Sequence, residues 1–94
     1  MAFTPRILKN ASRQLKKFDP PVARRIVQQI RWLAEHFEEI TPEPLKGDLA
    51  GLFKYRDGDY RVIYQPLREE KLILVHEIGH RRQIYKKAKP SRAG

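Results

Sequence analysis

The chain has 94 residues and no cysteine, so one modest core in a single domain is expected, because a chain this short buries only ~60–65% of its unfolded surface. The missing cysteines exclude disulfides, thiolate nucleophiles and cysteine-ligated zinc or iron–sulfur centres, and suit a reducing cytoplasm. A net charge of +9 points to nucleic acid, an acidic membrane surface or an acidic protein, while no apolar run approaches the ~18 residues of a membrane span and Met1 to Pro5 carries no export signal.

From Pro5 to Phe18, Leu8, Ala11, Leu15 and Phe18 recur at helical spacing with basic residues between them, which predicts an amphipathic helix after a very short first strand. Asp19 is a good N-cap and Pro20 suits the first helical position, so a second helix is predicted from Pro20 to Phe37. Val22, Ile26, Ile30, Leu33 and Phe37 form its buried stripe, with Trp32 at the edge of the core. Thr41-Pro42-Glu43-Pro44 cannot continue a helix, and the stretch to Gly51 reads as an ordered loop pinned by Leu45 and Leu49.

Phe53 to Arg56 and Asp59 to Tyr64 read as two strands joined by a two-residue Asp57-Gly58 turn. Counting outward sets Arg56 opposite Asp59, Tyr55 opposite Tyr60 and Lys54 opposite Arg61, so two cations face each other. Such a pair is destabilising unless an anion lies between them. Pro66 to Lys71 is a further turn, Leu72 to Val75 a central strand, and Gly79 its end. Lys86 to Gly94 is polar, basic and broken by Pro90, which predicts a flexible tail on a single domain spanning 1–94.

This order implies an α+β domain, with a short first strand and a helical hairpin packed on one face of a mainly antiparallel, roughly four-stranded sheet. Period-two alternation puts Lys54, Arg56, Arg61, Ile63 and Gln65 on the open face, and Phe53, Tyr55, Tyr60, Val62 and Tyr64 under the helices.

The open face suits cleavage of RNA by its own 2′-hydroxyl, which needs a proton acceptor, cations against the phosphate and a donor for the leaving oxygen, but no metal or cofactor. Lys54, Arg61 and Arg81 supply charge, and His80 and Tyr85 can move protons or orient a base. Each also has a plainer role: His80 as a surface histidine, Tyr85 as edge packing, Arg81 and Arg82 as solubilising charge. His36 and His76 read as structural. Lys46, Arg56, Arg82 and Lys86 are the further cations expected to contact RNA. No carboxylate pair stands out.

Leu45-Lys46-Gly47-Asp48-Leu49-Ala50-Gly51-Leu52-Phe53-Lys54-Tyr55-Arg56, Gly58-Asp59-Tyr60-Arg61-Val62-Ile63-Tyr64 and Gly79-His80-Arg81-Arg82-Gln83-Ile84-Tyr85 together resemble the RelE/ParE toxin superfamily, in its RelE-like branch. The resemblance implies the toxin of a type II toxin–antitoxin system: a cytoplasmic mRNA interferase that cuts mRNA in the ribosomal A site, against rRNA. It also implies a hetero-oligomer with an acidic, RelB-like antitoxin that silences it. It assigns Lys54 as base or charge stabiliser, Arg61 as stabiliser of the transition-state phosphate, Arg81 as phosphate contact or acid, and Tyr85 as base stacker or orienter of the nucleophile. Leu52 and His80 stand where the better-known pattern has lysines, which leaves base and acid unassigned. The competing readings are a ParE-like inhibitor of DNA gyrase without chemistry of its own, and a catalytically decayed binding module.

Overall fold

The computed structural model describes residues 2–49 and 51–80. Thr4–Ile7 form β1, Lys9–Lys16 α1, Pro20–Glu35 α2, Glu43–Pro44 β2, Phe53–Asp57 β3, Tyr60–Leu67 β4 and Leu72–His80 β5. The strands make one sheet in the order β1-β5-β4-β3-β2, parallel between β1 and β5 and antiparallel elsewhere. The α+β architecture is the expected one with a fifth strand. β2 escapes a sequence reading because it is two residues long and includes Pro44, which is tolerated at a sheet edge.

The first helix is shorter than its apolar spacing suggests. Residues 5–7 are taken by β1, and the chain turns at Lys17 and Phe18, whose N–H groups donate to the carbonyls of Gln14 and Leu15. Asp19 occupies the N-cap of α2 without a side-chain cap bond. Pro21, at the second helical position, has no N–H to donate, which leaves Val22 as the one remaining donor that such a cap engages. After α2, Phe37–Glu39 form a 3₁₀ turn.

Ile26, Ile30, Leu33, Ala34 and Phe37 pack against Val62, Tyr64, Ile73, Val75 and Ile78, with Phe3 and Ala11 completing the core. Each large side chain buried in this way stabilises the fold by ~1.5–3 kcal/mol. Phe37 is the aromatic hub, edge-on to Phe3 at 5.0 Å and to Tyr64 at 6.0 Å between ring centroids.

A buried polar residue completes the edge of the sheet. β1 pairs with β5 only as far as Val75, so the later residues of β5 need other partners. Gln14 of α1 supplies them: its Oε1 accepts from the Ile78 N–H at 2.6 Å and its Nε2 donates to Glu77 Oε1 at 2.9 Å. Asn10 Nδ2 donates to the other Glu77 oxygen at 2.6 Å. β5 also bulges, since Ile63 pairs with Glu77 but Tyr64 with Val75, leaving His76 extra.

Candidate active site

The hairpin register differs from the one counted on sequence. Asp57 pairs with Tyr60, Arg56 with Arg61, Tyr55 with Val62 and Lys54 with Ile63. The turn is Gly58-Asp59, one residue later than Asp57-Gly58, and Gly58 alone takes the positive φ (63°) that a type II′ turn needs at its first central position. Asp57 stays extended in β3, held by the Arg25 guanidinium of α2 at 3.1 Å. Moving the turn by one residue shifts the pairing by two, so every side chain keeps its face and changes its partner.

The opposed cations are therefore Arg56 and Arg61, with Lys54 two residues away on the same face. Their repulsion is relieved in two ways. Arg56 Nε lies 3.7 Å and Lys54 Nζ 3.9 Å from the Glu43 carboxylate of β2. Arg61 turns its guanidinium back on the hairpin, and Nη1 donates to the carbonyls of Gly58 at 2.8 Å and Tyr60 at 3.0 Å. Arg61 is only 7% exposed, which corrects the expectation of a freely accessible side chain. Its Nε is buried with no hydrogen-bond partner among the described residues, and such a donor costs ~1–3 kcal/mol. That cost falls on the face where Lys54, Arg56 and Arg61 are clustered.

His80 belongs to β5, which runs through Gly79 and does not end there. It pairs with Tyr60, and their rings meet edge-on at 6.0 Å. Tyr60 in turn packs on Phe18 at 5.3 Å, so His80 lies on the helix side of the sheet, away from Lys54, Arg56 and Arg61. Lys46 is exposed just before a 3₁₀ turn, Gly47–Leu49. Arg81, Arg82, Tyr85 and Lys86, with the tail expected from Lys86 to Gly94, lie outside the described residues. His36 and His76 fill structural roles: His36 Nδ1–H donates to the Trp32 carbonyl at 2.9 Å, and His76 Nε2 bonds Gln65 Oε1 at 3.0 Å. Burial holds His76 below the ordinary histidine range, partly offset by Glu77.

Two residues near these cations are not foreseen from sequence. Glu43 sits between two prolines and reads as loop, yet its pairing with Lys54 carries a carboxylate to the cationic face. Trp32, expected at the edge of the core, is 43% exposed and lines a cleft beside Lys54 and Arg56. Burial pushes Tyr64, on the floor of that cleft, up to about 12.

The family model for the ParE toxin of the type II toxin–antitoxin system parDE matches residues 6–85. Toxin RelG of Mycobacterium tuberculosis is 29% identical over 87 residues, covering 93% of this chain and all of the relative. The RelBE2 toxin–antitoxin complex from the same organism contains a chain with a TM-score of 0.79 at 27% identity, covering 85% of this chain and 92% of that one. A chain of the archaeal RelE–RelB complex of Pyrococcus horikoshii gives a TM-score of 0.67 at 26% identity, over 86% and 97%. A mutant of E. coli toxin RelE in the free state has the same fold, with a TM-score of 0.71 at 22% identity over 94% and 95%. With a model spanning most of its length and a matching fold, the chain belongs to the RelE/ParE family of toxins of type II toxin–antitoxin systems.

Proposed function

We propose that the chain is a ribosome-dependent endoribonuclease that cuts mRNA in the A site without a metal. The observation that carries this reading is the confrontation of Arg56 and Arg61 across β3 and β4, with Lys54 beside them and the Glu43 carboxylate within 4 Å of two of the three. In the proposed step the substrate 2′-oxygen attacks the adjacent phosphorus, a 2′,3′-cyclic phosphate forms, and the bond to the 5′-oxygen breaks as that oxygen takes a proton from water. Glu43 supplies a proton acceptor for the 2′-hydroxyl, and Lys54 and Arg61 bear the charge that builds on the phosphate.

Arg81 and Tyr85 complete the proposed set as phosphate contact and base orienter, and Lys46, Arg56, Arg82 and Lys86 as contacts along the RNA. His80, against Tyr60, is better placed to position the end of β5 than to exchange a proton with substrate. The solved toxin–antitoxin complexes support a cognate partner for this chain as well. At net +9, we expect that antitoxin to be acid-rich. Action on ribosomes implies the cytoplasm.

The matching family model is named for ParE, which keeps gyrase inhibition as the second reading. Purified protein added to programmed ribosomes and to a gyrase supercoiling assay separates the two. The expected result is A-site cleavage leaving a 2′,3′-cyclic phosphate, with supercoiling untouched. Because Arg61 is buried, Arg61→Lys is the informative variant, with a denaturation curve taken in parallel. Cleavage should fall ~10²–10³-fold, as when one transition-state donor is lost. Intact mRNA with blocked supercoiling, or a folded Arg61→Lys protein cutting at the wild-type rate, overturns the proposal.

A further inference from the structure

The exposed indole of Trp32 is held in place. His36 stacks on one face, with centroids 4.4 Å apart and planes 19° from parallel. The same imidazole is tied to the Trp32 carbonyl. The cleft of about 310 Å³ opens beside this fixed indole, lined also by Ile40, Pro42, Tyr55, Tyr64, Glu43, Lys54 and Arg56 but not by His36. Tyr55 lines the same cleft, its ring 6.4 Å from Trp32 and 27° from parallel, and its hydroxyl donates to Gln29 Oε1 at 3.0 Å. An aromatic platform locked from behind loses little freedom when a ligand stacks on it.

The cleft also offers backbone groups. Leu45 N–H donates to the Leu52 carbonyl, so alternate residues of β3, namely Lys54 and Arg56, direct their peptide groups toward β2. β2 begins only at Glu43, and opposite Arg56 stands Thr41, which is not in the sheet. Among the described residues, the Arg56 N–H and C=O therefore meet no backbone partner on that side. One residue of open edge is too little for an added peptide strand, which needs several successive bonds. It suits the edge of a single base, and the volume lies at the lower limit of small-ligand pockets, ~300 Å³.

Charge decides the rest of the ligand. Lys54 and Arg56 stand beside the cleft, and their 3.9 and 3.7 Å separations from Glu43 are longer than hydrogen bonds. The Arg56 guanidinium carries more donors than one carboxylate can engage, which suits it to a phosphate as well. We propose that this cleft takes one unpaired nucleotide of an RNA strand, its base against Trp32 and the Arg56 peptide edge, its phosphate on the Arg56 guanidinium. The site deepens the ribonuclease reading and rests on it for the identity of the ligand as RNA. It would make Trp32 a residue that sets which nucleotide is accepted next to the cut.

Trp32 is the sole tryptophan, so its fluorescence reports the cleft directly. A 2′-O-methyl trinucleotide, which cannot be cleaved, should quench the full chain saturably, and the same strand with an abasic centre should bind at least tenfold more weakly, as expected from the loss of about one stacked base. By anisotropy of a labelled strand, Trp32→Ala should weaken binding about tenfold, and Trp32→Phe should restore most of it. Equal binding of the abasic strand, or an unchanged affinity in folded Trp32→Ala, overturns the proposal. Neither readout requires cleavage: quenching by a protein that leaves mRNA intact upholds the cleft and removes the ribonuclease reading, and cleavage without quenching does the reverse.

Discussion

Ile63 and Tyr64 are neighbours on β4, equally buried, and they belong to different parts of the molecule. Tyr64 faces the helices among Phe37, Phe53 and Val62. Ile63 faces the other way, between its register partners Lys54 and Glu77 and beside the Arg56–Arg61 pair. One face of the sheet is a close-packed apolar contact with an ion pair, Arg25–Asp57, at its rim, and the other gathers like charges; each holds one buried polar atom without a partner among the described residues, Asp57 Oδ2 on the first and Arg61 Nε on the second. Apolar burial is concentrated on the first face and like-charge repulsion on the second.

The sharpest way to break that division is to hollow out the packed face. Phe37→Ala removes the ring that joins Phe3, Tyr64 and the core of α2, and should cost ~3–5 kcal/mol. A urea titration checks it: the midpoint should fall steeply with the slope unchanged, and a loss under about 1 kcal/mol would mean that the helices are not the main support of the sheet.

A smaller effect is expected where the helices meet the edge of β5. Gln14→Ala strands the Ile78 N–H and takes a donor from Glu77, for a loss of ~1–3 kcal/mol. Amide exchange at Ile78 should accelerate more than at Tyr55 of β3, which is separated from β5 by β4. Uniform acceleration would instead show that Gln14 acts on global stability alone.

The smallest effect concerns His76, whose folded value is depressed by burial. The unfolded chain then takes up the proton more readily, so stability should be full above ~6.5, decline as pH drops through the lower folded value, and level off below it. His76→Gln should flatten this part of the stability profile while retaining a hydrogen-bonding partner for Gln65. An unchanged profile would place the titration elsewhere.

Much of this was legible from local pattern. Helical spacing located Ile26, Ile30, Leu33 and Phe37, and strand alternation separated Lys54, Arg56 and Arg61 from Tyr55, Val62 and Tyr64, because both periods are properties of the backbone and need no knowledge of distant neighbours. The chain's cationic character and the existence of a hairpin at Gly58 were likewise open to reading. The pairing of that hairpin was not. Asp-Gly permits two placements of a two-residue turn, and Asp57 is held in β3 by Arg25, 32 residues earlier in the chain. For the same reason Glu43 reached the cationic face unannounced, Arg61 proved buried, and Trp32 became the wall of a cleft: each depends on where a separate segment comes to rest. Sequence periodicity determines which side a residue faces, whereas the contact it makes there is decided by long-range packing.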